Sequence, residues 1–311
     1  FLTSELIERR LNVQKANNIC EKQSDYITGD IKDPNIKQII EKSLKNKKID
    51  LIVATPPCQG MSVANHKKND KDKLRNSLIL ESINIVKKFK PKIFVFENVR
   101  SFLKTLCTDN NGKLESIDLV IKNNLSSLYN IETRIINFAE YGANSNRTRT
   151  LVIGSLKSLH EVNPANLFPD KRNSPTLKEL IYRMPRLKKM GQISKKDILH
   201  HFKKYDPIME KWIEDTLPGM SAFDQKDKNK IPARIINGEK IYNANKNGDK
   251  YKRCEWDKIA PCIHTRNDII ASQSTIHPTD NRVFSIRELM ILMNIPESFS
   301  WFTEKYNSLD E

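Results

Sequence analysis

Glycine is scarce. The nine glycines begin at Gly29, and Gly-x-Gly occurs nowhere. A glycine-rich turn lets backbone approach a bound cofactor closely, so a loop of that kind is excluded from the sequence as it stands. The five cysteines, at 20, 58, 107, 254 and 262, form no Cys-x-x-Cys pair and leave an odd one out. This fits a reduced, intracellular compartment. Cys254 and Cys262-Ile263-His264 with His277 match no common structural zinc spacing, so ordinary thiols are the better reading and no metal is expected. No apolar stretch approaches the roughly 20 residues that span a bilayer, and neither a signal peptide nor an internal repeat is visible.

Positive charge is what the chain has in excess. Lysine and arginine number 53 against 38 acidic residues, a net of +15, which suits a polyanionic partner. Residues 156–255 hold 22 of the basic and 13 of the acidic side chains, and they also show the poorest apolar periodicity. With 311 residues, 38% of them hydrophobic, the chain is long enough for one sizeable core and one smaller lobe.

The apolar run Ile49-Asp50-Leu51-Ile52-Val53 reads as a buried strand that ends in Ala54-Thr55-Pro56-Pro57-Cys58-Gln59-Gly60. Reactive groups in open α/β sheets collect at the carboxyl ends of strands, and the prolines fix the backbone before the cysteine. A second run, Lys92-Ile93-Phe94-Val95-Phe96, ends in Glu97-Asn98-Val99. Between them Leu74, Leu78, Ile79, Ile83 and Val86 recur at helical spacing. A right-handed strand–helix–strand crossover brings both strand ends to one edge of a parallel sheet, so Cys58 and Glu97 are expected to face one crevice. The same reading predicts strands near 25–28, 49–54, 92–96, 131–138 and 149–154 and helices near 34–47, 74–88 and 115–128. It adds a helix over Ile286–Met293 before Pro296 and a helix start at Asp197 with His200 and His201 as scaffold. The class is α/β.

Pro56-Pro57-Cys58-Gln59-Gly60, Glu97-Asn98-Val99, Thr28-Gly29-Asp30-Ile31 and Arg75-Asn76-Ser77-Leu78 are four of six motifs that, in order along the chain, resemble those of the C5-cytosine DNA methyltransferases. The fifth is Tyr141-Gly142-Ala143-Asn144-Ser145-Asn146-Arg147-Thr148-Arg149. The sixth is Ile276-His277-Pro278 with Arg282 to Glu288 and Ile295-Pro296-Glu297-Ser298-Phe299. The resemblance implies a Rossmann-like methyltransferase sheet with helices on both faces, a smaller basic target-recognition lobe, and S-adenosylmethionine as cofactor. It implies Cys58 as nucleophile, Glu97 as acid and Arg147 and Arg149 as clamps on the base carbonyl and a backbone phosphate. Asp30, Ile31, Pro57 and Leu78 become cofactor contacts, and Gln59, Gly60, Ser62 and Asn98 substrate contacts.

The chemistry agrees with those residue types. Carbon 5 of cytosine is too weakly nucleophilic to take a methyl group from a sulfonium until a nucleophile has added at carbon 6, and a thiolate suits that addition. A protonated carboxyl beside ring nitrogen 3 would neutralise the charge that develops there. The target atom is stacked inside a duplex, so the nucleotide has to be flipped out.

The departures are the missing Phe-x-Gly-x-Gly loop, a missing Gly-Asn-x-Val after Phe299, and Ser145 where the family has glutamine. The first two imply ends that were trimmed, disordered or supplied by another chain. The expected organisation is a catalytic domain over 1–159, target recognition over 160–265, and a return segment over 266–311 that packs on the catalytic domain. The implied partners are duplex DNA and a cognate restriction endonuclease; the expected state is a cytoplasmic, DNA-associated monomer. A tRNA-methylating relative and a catalytically inactive DNA-binding body are the alternatives.

Overall fold

The computed structural model describes residues 1–45, 47–57, 78–109 and 111–301. By contacts it forms two compact units. The first holds Phe1–Asn137 and Thr148–Asp170 and takes up the chain again at Ser300; the second holds Phe138–Arg147 and Lys171–Phe299. No helix among the described residues is long and apolar enough to cross a membrane.

In the first unit β1 (Thr3–Glu5) leads into helix α1 (Glu8–Ala16) and pairs in parallel with β2 (Tyr26–Thr28). Helix α2 (Pro34–Leu44) starts at Asp33, whose carboxylate accepts the Asn35 N–H at 2.8 Å, with Pro34 as its first residue. Next come β3 (Leu51–Ala54), α3 (Ile79–Phe89) and β4 (Ile93–Val99), then a hairpin of β5 (Leu106–Thr108) and β6 (Leu114–Ser116). Helix α4 (Ile117–Leu125), β7 (Tyr129–Asn137) and β8 (Thr148–Leu156) complete the unit.

The main sheet runs β3-β4-β8-β7. β3 and β4 are parallel, joined by the crossover through α3, whereas β8 runs antiparallel to both its neighbours. Phe94, Phe96 and Val152 turn one face of this sheet toward Ile79, Ile83 and Val86 of α3 and Ile117, Val120 and Ile121 of α4. Phe94 lies opposite Gly154, where a Cβ would stand 2.0 Å from the ring, so the strand pair closes over the aromatic only because that position is glycine. On the other face, residues 157–170 cover the β7–β8 side: Ser155 donates to the Val162 carbonyl at 2.7 Å, and the Arg134 guanidinium lies over the Phe168 ring. Leu51 and Val53 of β3 stay exposed there.

The expected strands and the helices near 34–47, 115–128 and 286–293 recur with shifted ends, and the helix near 74–88 is seen from Ile79, residues 74–77 lying outside the described ones. The β4 ladder continues through Glu97, Asn98 and Val99, because β8 supplies partners as far as Arg149. α2 stops at Leu44 and α3 at Phe89, each closed by a lysine in the left-handed conformation, Lys45 and Lys90.

The second unit contains α5 (Leu177–Ile181), α6 (Pro207–Ile213), the antiparallel hairpin β9 (Ala233–Ile236) and β10 (Glu239–Tyr242), and α7 (Ile286–Leu292). One core gathers Phe202, Trp212, Ile213 and Tyr251 with Ile276 and Val283; another joins Leu177, Ile181 and Cys254 to Phe284 and Leu292. Residues 276–292 thus share cores with the preceding hundred residues, and the whole of 266–299 clusters with this unit, unlike the expected return to the catalytic domain. Nor does Asp197 start a helix. It accepts the Leu199 N–H at 3.0 Å in a turn, because its carboxylate is also held by Arg287 at 2.6 Å.

Candidate active site

The carboxyl ends of β3 and β4 define the site. Parallel pairing sets Ala54 opposite Phe96, so Thr55-Pro56-Pro57 leaves the sheet level with Glu97 and Asn98. Alternation along β4 sends Phe94, Phe96 and Asn98 into the helix-covered side and Glu97 to the opposite face. Glu97 lies opposite Leu151 and diagonally across from Arg149, whose Nε meets its Oε1 at 3.0 Å. The side chains of this pair are 17% and 23% exposed, Arg149 first, so the pair is reachable from solvent. Arg149 also donates from Nη1 to the Thr148 carbonyl at 2.7 Å. The acid and one of the two arginines are therefore brought together.

Asn98 is 3% exposed. Its Nδ2 donates to the Pro56 carbonyl at 2.8 Å, and its Oδ1 accepts the Val99 N–H at 2.8 Å. This ties the end of the acid strand to the backbone two residues before Cys58. Thr150 completes the brace by donating to the Val99 carbonyl at 3.1 Å. Asn98, expected as a substrate contact, also has these internal partners. Neither this role nor that of Thr150 has a signal in a single sequence, since both depend on which strand lies alongside.

Cys58, Gln59, Gly60 and Ser62 lie outside the described residues. Pro56 is buried and Pro57 exposed at the start of that loop, and Leu78 stands half-buried immediately before α3. Arg147 belongs to the second unit and Arg149 to the first, so the division between units falls between the two arginines. Arg147 precedes β8, and its carbonyl accepts the Phe138 N–H at 3.0 Å. The rest of that motif anchors within the second unit. Asn144 donates to the Ile291 carbonyl at 2.7 Å, Asn146 donates to the Ala260 carbonyl, and buried Ser145 forms an isolated parallel bridge with Ala260.

Two of the candidate cofactor residues, Asp30 and Ile31, occupy the loop after β2. Gly29 has φ +154° and donates to the Glu5 carbonyl at 3.1 Å; a Cβ there would meet Ile36 at 2.3 Å. Only glycine closes that turn. Asp30 is exposed, and its Oδ1 accepts the Lys32 N–H at 2.9 Å, leaving the other oxygen turned to solvent at a parallel strand's carboxyl end. A free carboxylate oxygen beside the half-buried Ile31 fits an amino-purine, whose exocyclic amine donates and whose ring needs apolar cover.

The second unit carries a buried polar cluster on the His277–Glu288 motif. Arg282 grips Glu288 with two hydrogen bonds of 2.7 and 2.8 Å and reaches Asp280 at 3.2 Å. Burial alone would raise the Glu288 pKa, yet the Arg282 hydrogen bonds and charge win and it is lowered. Burial and the Arg282 charge push His277 down to about 3. Its Nδ1 accepts backbone N–H groups from Thr279 and Asp280 at 3.2 and 2.9 Å, an arrangement only the unprotonated nitrogen can make. Buried Arg253 spends its guanidinium on carbonyls of Ile213, Thr216, His277 and Asp280. His200 joins the same region, with Nδ1 at 2.8 Å from the Ser285 hydroxyl and Nε2 at 2.7 Å from the Pro185 carbonyl. The cluster is internal to its unit and holds α7 in place.

A family model for the C-5 cytosine-specific DNA methylase matches residues 4–309. The chain belongs to that family. It is a DNA cytosine-5 methyltransferase. Among curated relatives it is 31% identical to Type II methyltransferase M1.HgaI of Avibacterium volantium, over 93% of this chain and 83% of that protein. It is 29% identical to Type II methyltransferase M1.HphI of Haemophilus parahaemolyticus, over 85% of this chain and 64% of the relative. A solved structure of a candidate DNA modification methyltransferase from an E. coli prophage superposes with TM-score 0.63 at 19% identity, covering 97% of this chain and 83% of that one, which supports the methyltransferase fold.

Proposed function

We propose that this methyltransferase modifies carbon 5 of a flipped cytosine within one specific duplex sequence, as the modification half of a Type II restriction system. The names of the relatives support the second part, and a cognate endonuclease is the implied partner. The observation that carries the reading is the Glu97–Arg149 pair, set one strand from the loop that leads to Cys58.

The Cys58 thiolate adds to carbon 6 of the base, forming a C–S bond and driving electron density toward ring nitrogen 3. Glu97 holds a proton at that nitrogen, and Arg149 fixes the direction of the carboxyl. Asn98 sets the direction of the Pro56-Pro57-Cys58 loop through the Pro56 carbonyl. Asp30, Ile31, Pro57 and Leu78 would hold S-adenosylmethionine, which when bound supplies an electrophilic methyl group on a sulfonium. Once carbon 5 has lost its proton to a base, the electron pair returns and expels Cys58. Arg147 holds a backbone phosphate or the base carbonyl, and Gln59, Gly60 and Ser62 line the base pocket. We assign catalysis to the first unit and target recognition to the second, with its excess of basic residues. The protein acts as a cytoplasmic monomer.

Trapping tests the chemistry. Duplex DNA with 5-fluorocytosine at the target should give a denaturation-resistant adduct, since fluorine cannot leave as a proton, and Cys58→Ser should abolish it. An adduct that survives Cys58→Ser would show that another group attacks carbon 6.

A further inference from the structure

The hairpin β9–β10 stands apart from both cores of the second unit. Its turn is Asn237-Gly238, with φ +51° and +83°, the two-residue turn that matches the twist of a ribbon. The Asn243 N–H closes its base onto the Pro232 carbonyl at 3.0 Å. Seven of its eight strand residues are exposed, among them Ile235, Ile236, Ile241 and Tyr242 at 69%, 38%, 38% and 45%. The register sorts them into two faces: Arg234, Ile236, Glu239 and Ile241 on one, Ala233, Ile235, Lys240 and Tyr242 on the other. Lys240 lies 5.3 Å from the Tyr242 ring centre.

A two-stranded ribbon with both faces and both edges in water is marginal by itself, and four large apolar side chains on it are a cost without a partner. Charge says which partner. Residues 226–252 hold eight lysines and arginines against three acidic residues. Arg234 and Lys240 enter no ion pair among the described residues, whereas Lys230 at the hairpin's foot is already held by Glu214 and Asp215. An identical copy would meet the same positive ribbon and be repelled. A duplex would not, and its major groove, about 12 Å wide, admits a two-stranded ribbon whose aliphatic and aromatic side chains can meet thymine methyl groups.

We propose that β9–β10 is the element of this enzyme that enters the DNA major groove, with Ile235 and Tyr242 of one face meeting base edges and Arg234, Lys240 and the flanking lysines meeting phosphates. The proposal rests on the reading of the chain as a sequence-specific DNA methyltransferase.

A binding selection from a pool of duplexes with random cores, using the full chain, tests it. Wild type should enrich one motif. Ile235→Ser and Tyr242→Ala should each return that motif with a position relaxed, losing roughly 5- to 150-fold in discrimination there. Arg234→Ala and Lys240→Gln should each weaken all duplexes alike and reduce the salt dependence by about one phosphate contact. These side chains are exposed, and unchanged melting curves would verify the fold. If all variants return the wild-type motif at wild-type affinity, the hairpin does not read DNA. The same holds if they keep the motif but dissociate a dimer, which would assign the ribbon to a second copy. Failure of wild type to enrich any motif would instead overturn the sequence-specific reading itself.

Discussion

Asn98 donates to the Pro56 carbonyl at 2.8 Å, and with that bond one strand's end sets the course of its neighbour's. Glu97 and the loop leading to Cys58 are thereby positioned by one buried amide.

Asn98→Ala should separate positioning from folding. Removing the donor leaves a buried carbonyl unpaired, which costs about 1–3 kcal/mol of stability. The larger effect is expected on turnover, on the order of 100-fold, because a loop displaced by an ångström misdirects attack. Single-turnover methylation with thermal melts decides it: a destabilised variant with wild-type turnover would reduce Asn98 to a structural residue.

Much of this site is legible in the sequence because it depends on strand ends. A parallel crossover through an amphipathic helix forces the residues after Ala54 and Phe96 to one edge, whatever else the fold does. The Glu97–Arg149 contact is less so, since it needs β8 to run antiparallel beside β4, and strand order leaves no mark on local periodicity. The second unit is least legible. Its cores are assembled from short helices and isolated bridges, so residues 160–265 show little periodicity even where Trp212 and Tyr251 are buried. His277-Pro278 reads as a motif, but its cluster is visible only once Arg253, His200 and Arg282 are brought together.

The Arg282–Glu288 pair makes a separate test. Both side chains are almost wholly buried, at 2% and 1% exposure. Glu288→Gln removes one charge and leaves the buried guanidinium with Asp280 as its charged partner, and the expected loss is about 3 kcal/mol. Replacing both, Arg282→Met with Glu288→Leu, should cost less than Glu288→Gln alone, because the buried guanidinium is gone and Asp280 keeps Arg186. Urea unfolding of the three proteins gives the comparison; a double variant less stable than the single would mean that the pair itself is net stabilising.

His277 gives the stability a defined pH dependence. Its folded pKa is about 3 against an ordinary 6.5, so between those values the unfolded chain binds a proton the folded one refuses. Stability is therefore undiminished above pH 6.5 and falls as the pH drops toward 3, by about 2 kcal/mol at pH 5 from this group alone. Asp280 and Glu288 face the ring and favour its protonation, while Arg282, Arg253 and Arg186 oppose it, and burial decides the direction. His277→Asn keeps an acceptor for the Thr279 and Asp280 N–H groups but takes no proton. Its unfolding free energy should lose this part of the slope between pH 7 and 5; an unchanged slope would place the acid sensitivity elsewhere.

The boundaries of the second unit can be tested by chimaeras with a family member of different target sequence. A graft of residues 160–265 cuts the backbone bond from the Cys254 N–H to the Ile276 carbonyl and takes Arg253 from the carbonyls of His277 and Asp280. It also leaves Tyr251 and Trp212 without Ile276 and Val283. A host would have to supply matching partners at all these points, so this graft should be largely insoluble or unfolded. A graft of residues 171–299 carries both cores and the Arg282–Glu288 pair intact. It should fold, methylate, and bring the donor's target sequence with it. Base-resolution mapping of methylated cytosines reads the outcome: a soluble, active 171–299 chimaera that keeps the host's site would show that recognition does not reside in the second unit.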